Sequence, residues 1–339
     1  MSLSLSRLLG STAAALLAGL ALTLAVSSGT VLSLLTQATI YAVFALGLGL
    51  LLRQNGMASF GHALFFGSAG YVVGILLQLK AVPAEGAIVL AVLGLTAFAF
   101  LLGLIIVRVP GIAFGMLTLA VGQMFFLTAS RSRGLTGGAD GMNIDWPSQL
   151  FGFSTSAMLR PANMFLICWV VLVLCMLGLS LVLRGRFGAI TEAVRDNEER
   201  ARFIGIRTLL PRAALFALSA GITSVAGVLS ALNTGFVSPE SLHWSVSGVA
   251  LMMVVVGGYK ALWGPVLGAM VYFLAKDILG DWANHWMAIF GIALITVIVF
   301  SPTGMAGALQ RLFKGKKALP AAAATGPAPA PTARAATAH

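Results

Sequence analysis

Charge is what this sequence has least of. Only 9% of its 339 residues are Asp, Glu, Lys or Arg, while 59% are hydrophobic, a balance that a soluble chain of this length does not need to build its core. That excludes an ordinary soluble globular protein. Catalytic and metal-binding groups are also scarce. The four histidines, His62, His243, His285 and His339, do not fall in pairs on one helical face, and no Cys or carboxylate cluster has ligand spacing. No metal, no cofactor and no enzyme activity are therefore expected. A phosphate-binding loop needs Lys followed by Ser or Thr after its glycines, and none occurs, so the chain has no ATP site of its own. The two cysteines, Cys168 and Cys175, sit in one apolar run, roughly 10 Å apart along a helix. That is too far for a disulfide within one helix, and they read as packing residues.

What is present is apolar sequence in lengths that match a bilayer. Segments lie at roughly 8–26, 30–52, 58–79, 86–107, 111–129, 162–183, 211–231, 246–260, 261–276 and 287–303. The expected fold is all-α: a polytopic helical bundle of about ten spans in one transmembrane domain over residues 1–317. The Ala/Pro-rich stretch 318–339 is expected to be a disordered tail. Arg7 ahead of an apolar run that ends near Ser27 and Ser28 also fits a cleaved signal peptide. That run is longer than a usual signal core, so a retained span is expected.

An even number of crossings puts both ends on one side, and the cations say which. With the amino terminus inside, sixteen of the 21 Lys and Arg residues face the cytoplasm, a clear positive-inside bias. The net charge of +11 is then a matter of topology, and no nucleic-acid partner is expected.

The longest polar interruption, Arg184 to Arg212, lies on that inner side and reads as one amphipathic helix over about 187–207. Ile190, Ala193, Val194, Ala201 and Ile204 form its apolar face, with Arg195, Asp196, Glu198, Glu199 and Arg202 on the remainder. Asp196 with Arg200 and Glu198 with Arg202 are acid-before-base pairs four apart, worth about 0.2 to 0.5 kcal/mol each. Gly205 loosens the end, and Pro211 opens the next span. Lying on anionic lipid is the alternative role for such a helix.

Three further stretches carry polar or flexible residues. Ser59 to Tyr71, SFGHALFFGSAGY, re-enters the membrane with Gly61, Gly67 and Gly70, whose small size suits close helix packing. His62 in this stretch either lines a watery path or bonds a backbone carbonyl. Thr118 and Gln123 sit mid-span, and the Gln123 amide needs either a path or a partner helix. The loop Leu135 to Gly141, with Thr136, Gly137, Gly138, Asp140 and Gly141, reads as an outer turn or nest. The third and eighth segments are broken by glycines, five spans apart and so oppositely oriented. That is the trace of an inverted repeat with a path at its interface.

SFGHALFFGSAGY, LTGGADGM, AVRDNEERARFIGI and SGVALMMVVVGGYKALWGPVLGA, in this order, resemble the permease subunits of branched-chain amino-acid ABC importers, of the M type, over about 30–313. The resemblance implies a second permease subunit, two cytoplasmic ATPase subunits, a periplasmic binding protein and a surrounding lipid bilayer. It implies that Glu192, Arg195, Asp196, Glu198, Glu199, Arg202 and Gly205 couple to the ATPase. The match departs from the usual importer pattern, since Arg195 follows Glu192-Ala193-Val194 and the glycine comes only at Gly205. His62, Phe65, Phe66, Thr118 and Gln123 are expected along the path, and Thr136, Gly137, Gly138, Asp140 and Gly141 at the binding-protein docking loop. The expected cargo is a branched-chain or other hydrophobic amino acid, with urea or a short amide as the alternative. The rival class, an ion-coupled transporter, needs an ionisable group at mid-membrane. None of the ten acidic residues is placed there.

Overall fold

Two long helices are enclosed on nearly every side, and the others are arranged around them. The computed structural model describes residues 5–80, 82–109, 111–282, 291, 292, 295 and 304–313. The expected tail and nearly all of the tenth expected span lie outside the described residues. The helices are α1 (Leu5–Ala25), α2 (Gly29–Asn55), α3 (Ala63–Gln78), α4 (Ala84–Ile106), α5 (Ile112–Arg131), α6 (Arg133–Thr136), α7 (Thr155–Met158), α8 (Pro161–Arg184), α9 (Arg186–Asp196), α10 (Glu198–Phe203), α11 (Leu209–Thr234), α12 (Trp244–Gly257), α13 (Gly264–Trp282) and α14 (Gly304–Phe313). Among them α2, α4, α5, α8 and α11 are long and apolar enough to cross a membrane, and α3 and α12 are shorter apolar helices. This is a polytopic helical membrane protein.

The centre is α2 packed on α11. Most residues of each are buried, as befits a helix surrounded by other helices. With no water to drive association inside a bilayer, close packing needs small side chains. Gly47 supplies one: a Cβ there would come within 2.8 Å of both the Ser219 carbonyl and the Thr223 hydroxyl. On α11, a Cβ at Gly227 would collide with the Phe66 carbonyl of α3. The helix α2 ends where Gly56 turns left-handed, at φ +67°, and its N–H bonds the Leu52 carbonyl. By contrast α4, α5 and α8 leave large apolar side chains such as Leu93, Met116 and Leu174 exposed, the surface that hydrocarbon or a membrane partner would cover.

The two shortest membrane helices are α3, with 16 residues, and α12, with 14. Each follows a stretch outside any α-helix, 56–62 before α3 and, before α12, the run from Gly235 to His243, which holds a single 3-10 turn at Pro239–Leu242. Their starts meet inside the protein, where the Ala63 N–H donates to the Ser247 hydroxyl at 2.7 Å. Irregular backbone at this depth is tolerated because it is enclosed by protein. The pairs α2 with α11 and α3 with α12 are each five spans apart, the relation that an inverted repeat requires.

Between the helices, β1 (Met142–Asn143) pairs antiparallel with β4 (Phe236–Val237), Met142 opposite Val237. A small hairpin joins β2 (Gln149–Leu150) to β3 (Phe153–Ser154). The first pairing ties the loop after α5 to the stretch that leads into α12.

Candidate functional site

The polar stretch from Arg184 to Arg212 is two helices and not one. Asn197 breaks it: its backbone is extended, and its side-chain oxygen accepts from the Arg200 N–H at 2.9 Å to cap α10. An Asn side chain competes well for orphan helix-start amides, a signal that apolar periodicity does not register. The break separates Asp196 from Arg200, and Asp196 instead takes a charged contact from Arg195 at 2.6 Å. Glu198 and Arg202 do pair, also at 2.6 Å. The buried face is also narrower than the periodicity implied. Gly188, Thr191 and Val194 of α9 and Ala201 of α10 are buried, whereas Ala193 is exposed and Ile204 is 71% exposed. Phe203, 91% exposed, projects beside Ile204. Together with Asp196 and Glu199 they make an exposed surface that is part acidic and part apolar, while Glu192, also exposed, lies beside Arg195 at 3.7 Å.

The opposite side of this pair is fastened to both central helices. Arg195 donates to the Arg53 carbonyl at 2.6 Å, and Thr191 to the Gln54 side-chain carbonyl at 3.1 Å, so α9 is held at the end of α2. Glu198 holds α10 to the start of α11 through Arg212 at 2.6 Å. Its other oxygen accepts from Thr208 at 2.9 Å and Arg202 at 2.6 Å. Asn55 of α2 closes the loop by donating to the Arg212 carbonyl at 3.4 Å. Burial pushes the Glu198 carboxyl up, but the Thr208 hydroxyl, Arg212 and Arg202 outweigh it and hold the group below its ordinary value. Gly205 has φ +87° and open space where a Cβ would stand, so it serves as the left-handed exit from α10. Gln54, Asn55, Thr191, Thr208 and Arg212 are the residues that sequence reading missed. Gln54, Asn55, Thr208 and Arg212 lie near span ends and Thr191 inside α9, where sequence alone does not set them apart from ordinary interface polarity.

In the membrane interior the expected path residues divide. His62 is fully buried and bonded at both ring nitrogens, to Ser59 at 2.7 Å and Ser219 at 2.8 Å. Ser219 in turn donates to the Gly47 carbonyl at 2.7 Å. His62 thus bridges the entry to α3 with both central helices, and its partners are hydroxyls and not the backbone carbonyl that was one expectation. Phe65 packs edge-on against His62 and Phe216. Thr118 bonds the Gly115 carbonyl and accepts from the Phe60 N–H at 3.3 Å, where Gly61 lies against its carbonyl. Within this chain His62, Phe65 and Thr118 form one sealed knot. Gln123 lies further along α5, part-exposed, with its buried side-chain oxygen lacking a hydrogen-bond partner among the described residues. Phe66 is separate from the knot. Stacked on Phe44 at 5.1 Å, it lines an outer cavity of about 310 Å³ with Tyr41, Gly70, Gly227, Thr234 and Glu240.

The outer glycine loop turns its backbone inward. Thr136 is buried and donates to the Ala129 and Ser132 carbonyls. Gly138 is buried and its N–H reaches the Thr136 hydroxyl at 3.4 Å. Gly137 and Gly141 have φ of +77° and +74°, and a Cβ on Gly141 would strike the Val237 carbonyl. The glycines are needed so that the loop can tuck against the run before α12. Asp140 is the expected docking residue that remains exposed.

No group of three or more His, Cys, Asp or Glu side chains able to hold a metal occurs among the described residues. Residues 30–299 match the family model described as the permease component of the branched-chain amino acid transport system. The chain is 25% identical over 300 residues to the high-affinity branched-chain amino acid transport system permease protein LivM of Escherichia coli, covering 83% of this chain and 70% of that one. It is 26% identical over 289 residues to the corresponding protein BraD of Pseudomonas aeruginosa, covering 80% and 93%. A shorter match, 32% over 160 residues and 44% and 45% of the two chains, joins it to the autoinducer 2 import system permease protein LsrC of Salmonella typhimurium. No solved structure matches. With a fold of apolar helices around a two-helix centre and a family match over most of its length, the chain belongs to the permease components of branched-chain amino acid ABC importers.

Proposed function

We propose that this subunit carries branched-chain or other hydrophobic amino acids across a bacterial inner membrane as one of two unlike permease subunits. Substrate arrives from a binding protein at the outer face, near Asp140 and the run before α12. ATPase subunits engage the exposed face of α9 and α10 through Glu192, Asp196, Glu199, Phe203 and Ile204. Both termini lie in the cytoplasm on this reading, in keeping with the side on which most cations fall.

The observation that carries it is the double fastening of α9 to α2 and of α10 to α11. A pull on that pair reaches both central helices at once, and through Ser219 it reaches the His62 knot at the start of α3. Gln123, beside the exposed face of α5, borders the path that this subunit shares with its partner, while His62, Phe65 and Thr118 hold the moving parts in register. A weakly polar route of this kind suits an apolar cargo, which must bind loosely enough to leave.

The test is uptake into proteoliposomes holding both permeases, the ATPases and the binding protein. Leucine uptake that requires ATP is expected. Uptake driven by an ion gradient without ATP would overturn the class, and ATP-driven uptake of urea with none of leucine would overturn the cargo.

A further inference from the structure

A second cavity, of about 460 Å³, opens where α2, α9 and the turn between α12 and α13 come together. Three cations from three elements line it: Arg53, Arg195 and Lys260, with Glu192 as its carboxylate. Arg195 is already neutralised by Asp196, through both Nε and Nη2, with Glu192 at 3.7 Å. Arg53 and Lys260 make no ion pair or side-chain hydrogen bond among the described residues. Like charges gathered around one space repel, and the arrangement is relieved when an anion enters. Leu52 and Tyr259 complete the wall, an apolar group and an interfacial aromatic of the sort found where spans meet water.

We propose that this cavity binds a phosphate group, mono- or diester, between Arg53 and Lys260, with Glu192 accepting from a hydroxyl or ammonium of the same ligand. A basic pocket between span ends on the cytoplasmic side is suited to a lipid headgroup, and the same donors would hold a soluble phosphate. The occupant would tie the end of α2 and the α12–α13 turn together beside Arg195, and so stiffen the seat of α9. This inference rests on the cytoplasmic placement of α9 and not on the identity of the cargo, so failure of the uptake assay leaves it standing.

The test uses the permease–ATPase complex in phosphatidylcholine nanodiscs, wild type and Arg53→Gln/Lys260→Gln, read by native mass spectrometry. One arm titrates phosphatidylglycerol and the other inorganic phosphate. The double variant is expected to bind about 25-fold more weakly, roughly 5-fold for each cation removed. Loss in the first arm assigns a lipid, and loss in the second alone assigns a soluble phosphate. Lys260→Gln alone, at an exposed residue, guards against misfolding and should show the roughly 5-fold part. Equal binding by wild type and variant in both arms overturns the proposal. So does a variant that keeps its phosphate ligand but sheds the ATPase, since the cations would then serve a carboxylate of the partner protein.

Discussion

Replacing Glu198 with Gln isolates the fastening of α10 to α11, because it removes one charge and almost no volume. The carboxylate is 25% exposed and Arg212 only 11%, so the arginine is left nearly enclosed without its counter-ion. Removing one partner of a fully buried pair costs about 3 to 5 kcal/mol, and a hydrogen bond to a charged group about 1.5 to 3. With water reaching one edge of the carboxylate and the Gln oxygen still able to accept, roughly 2 kcal/mol is expected here. Because α10 is short and peripheral, the loss should appear as local undocking and not as unfolding of the bundle. Hydrogen exchange at the α10 amides should therefore quicken by about 30-fold, with α2 and the membrane part of α11 unchanged. In the reconstituted complex, ATP hydrolysis should continue while transport per ATP falls. Glu199→Gln, at an exposed residue with no side-chain hydrogen bond or ion pair among the described residues, is the control and should shift stability by less than about 0.5 kcal/mol.

The same contact sets a pH dependence. A carboxyl held below its ordinary 4.5 contributes stability that is fully present above that value and is lost as pH falls through the lowered one. Undocking of α10 should therefore begin below the usual carboxylate range, and Glu198→Gln should abolish the acid response. If Glu198→Gln exchanges, transports and responds to acid as wild type does, α10 is not held by this pair and the coupling argument fails.

Two other predictions are simpler. Gln123→Leu should leave yield and melting temperature unchanged or slightly raised, because the buried oxygen it removes has no partner among the described residues, yet it should lower transport per assembled complex; a normal transport value refutes the path assignment. Single cysteines at Asp196 and Asp140 should be labelled from the cytoplasmic and the outer side respectively, and labelling of position 196 from outside would reverse the topology.

What was legible in the sequence follows from which forces leave periodic traces. A bilayer demands long apolar runs, so the spans were readable, and so was the pairing of two short glycine-broken segments five spans apart. Capping is local and carries no period. The single Asn197 therefore turned one expected helix into two and set Asp196 aside from Arg200. Burial of a charge at a span end is equally hidden. Arg212 counts as one more inner cation in any tally of the positive-inside bias, yet it is the residue that receives Glu198. Positive φ at Gly137, Gly138 and Gly141 was readable as a tight turn, but whether its N–H groups face a ligand or the protein depends on β4, nearly a hundred residues away. The centre was hidden most of all, because α2 is mostly apolar and looks like any lipid-facing span. Burial along most of its length and close contacts such as those of Gly47 with Ser219 and Thr223 distinguish a helix enclosed by protein from one bathed in hydrocarbon. Since α9 and α10 are fastened to α2 and α11 and not to the lipid-exposed α4 or α5, a displacement at the cytoplasmic face arrives first at the Gly47–Ser219–His62 contact. The re-entry into α3 is therefore the place where the coupling stroke should first alter the membrane part of the protein.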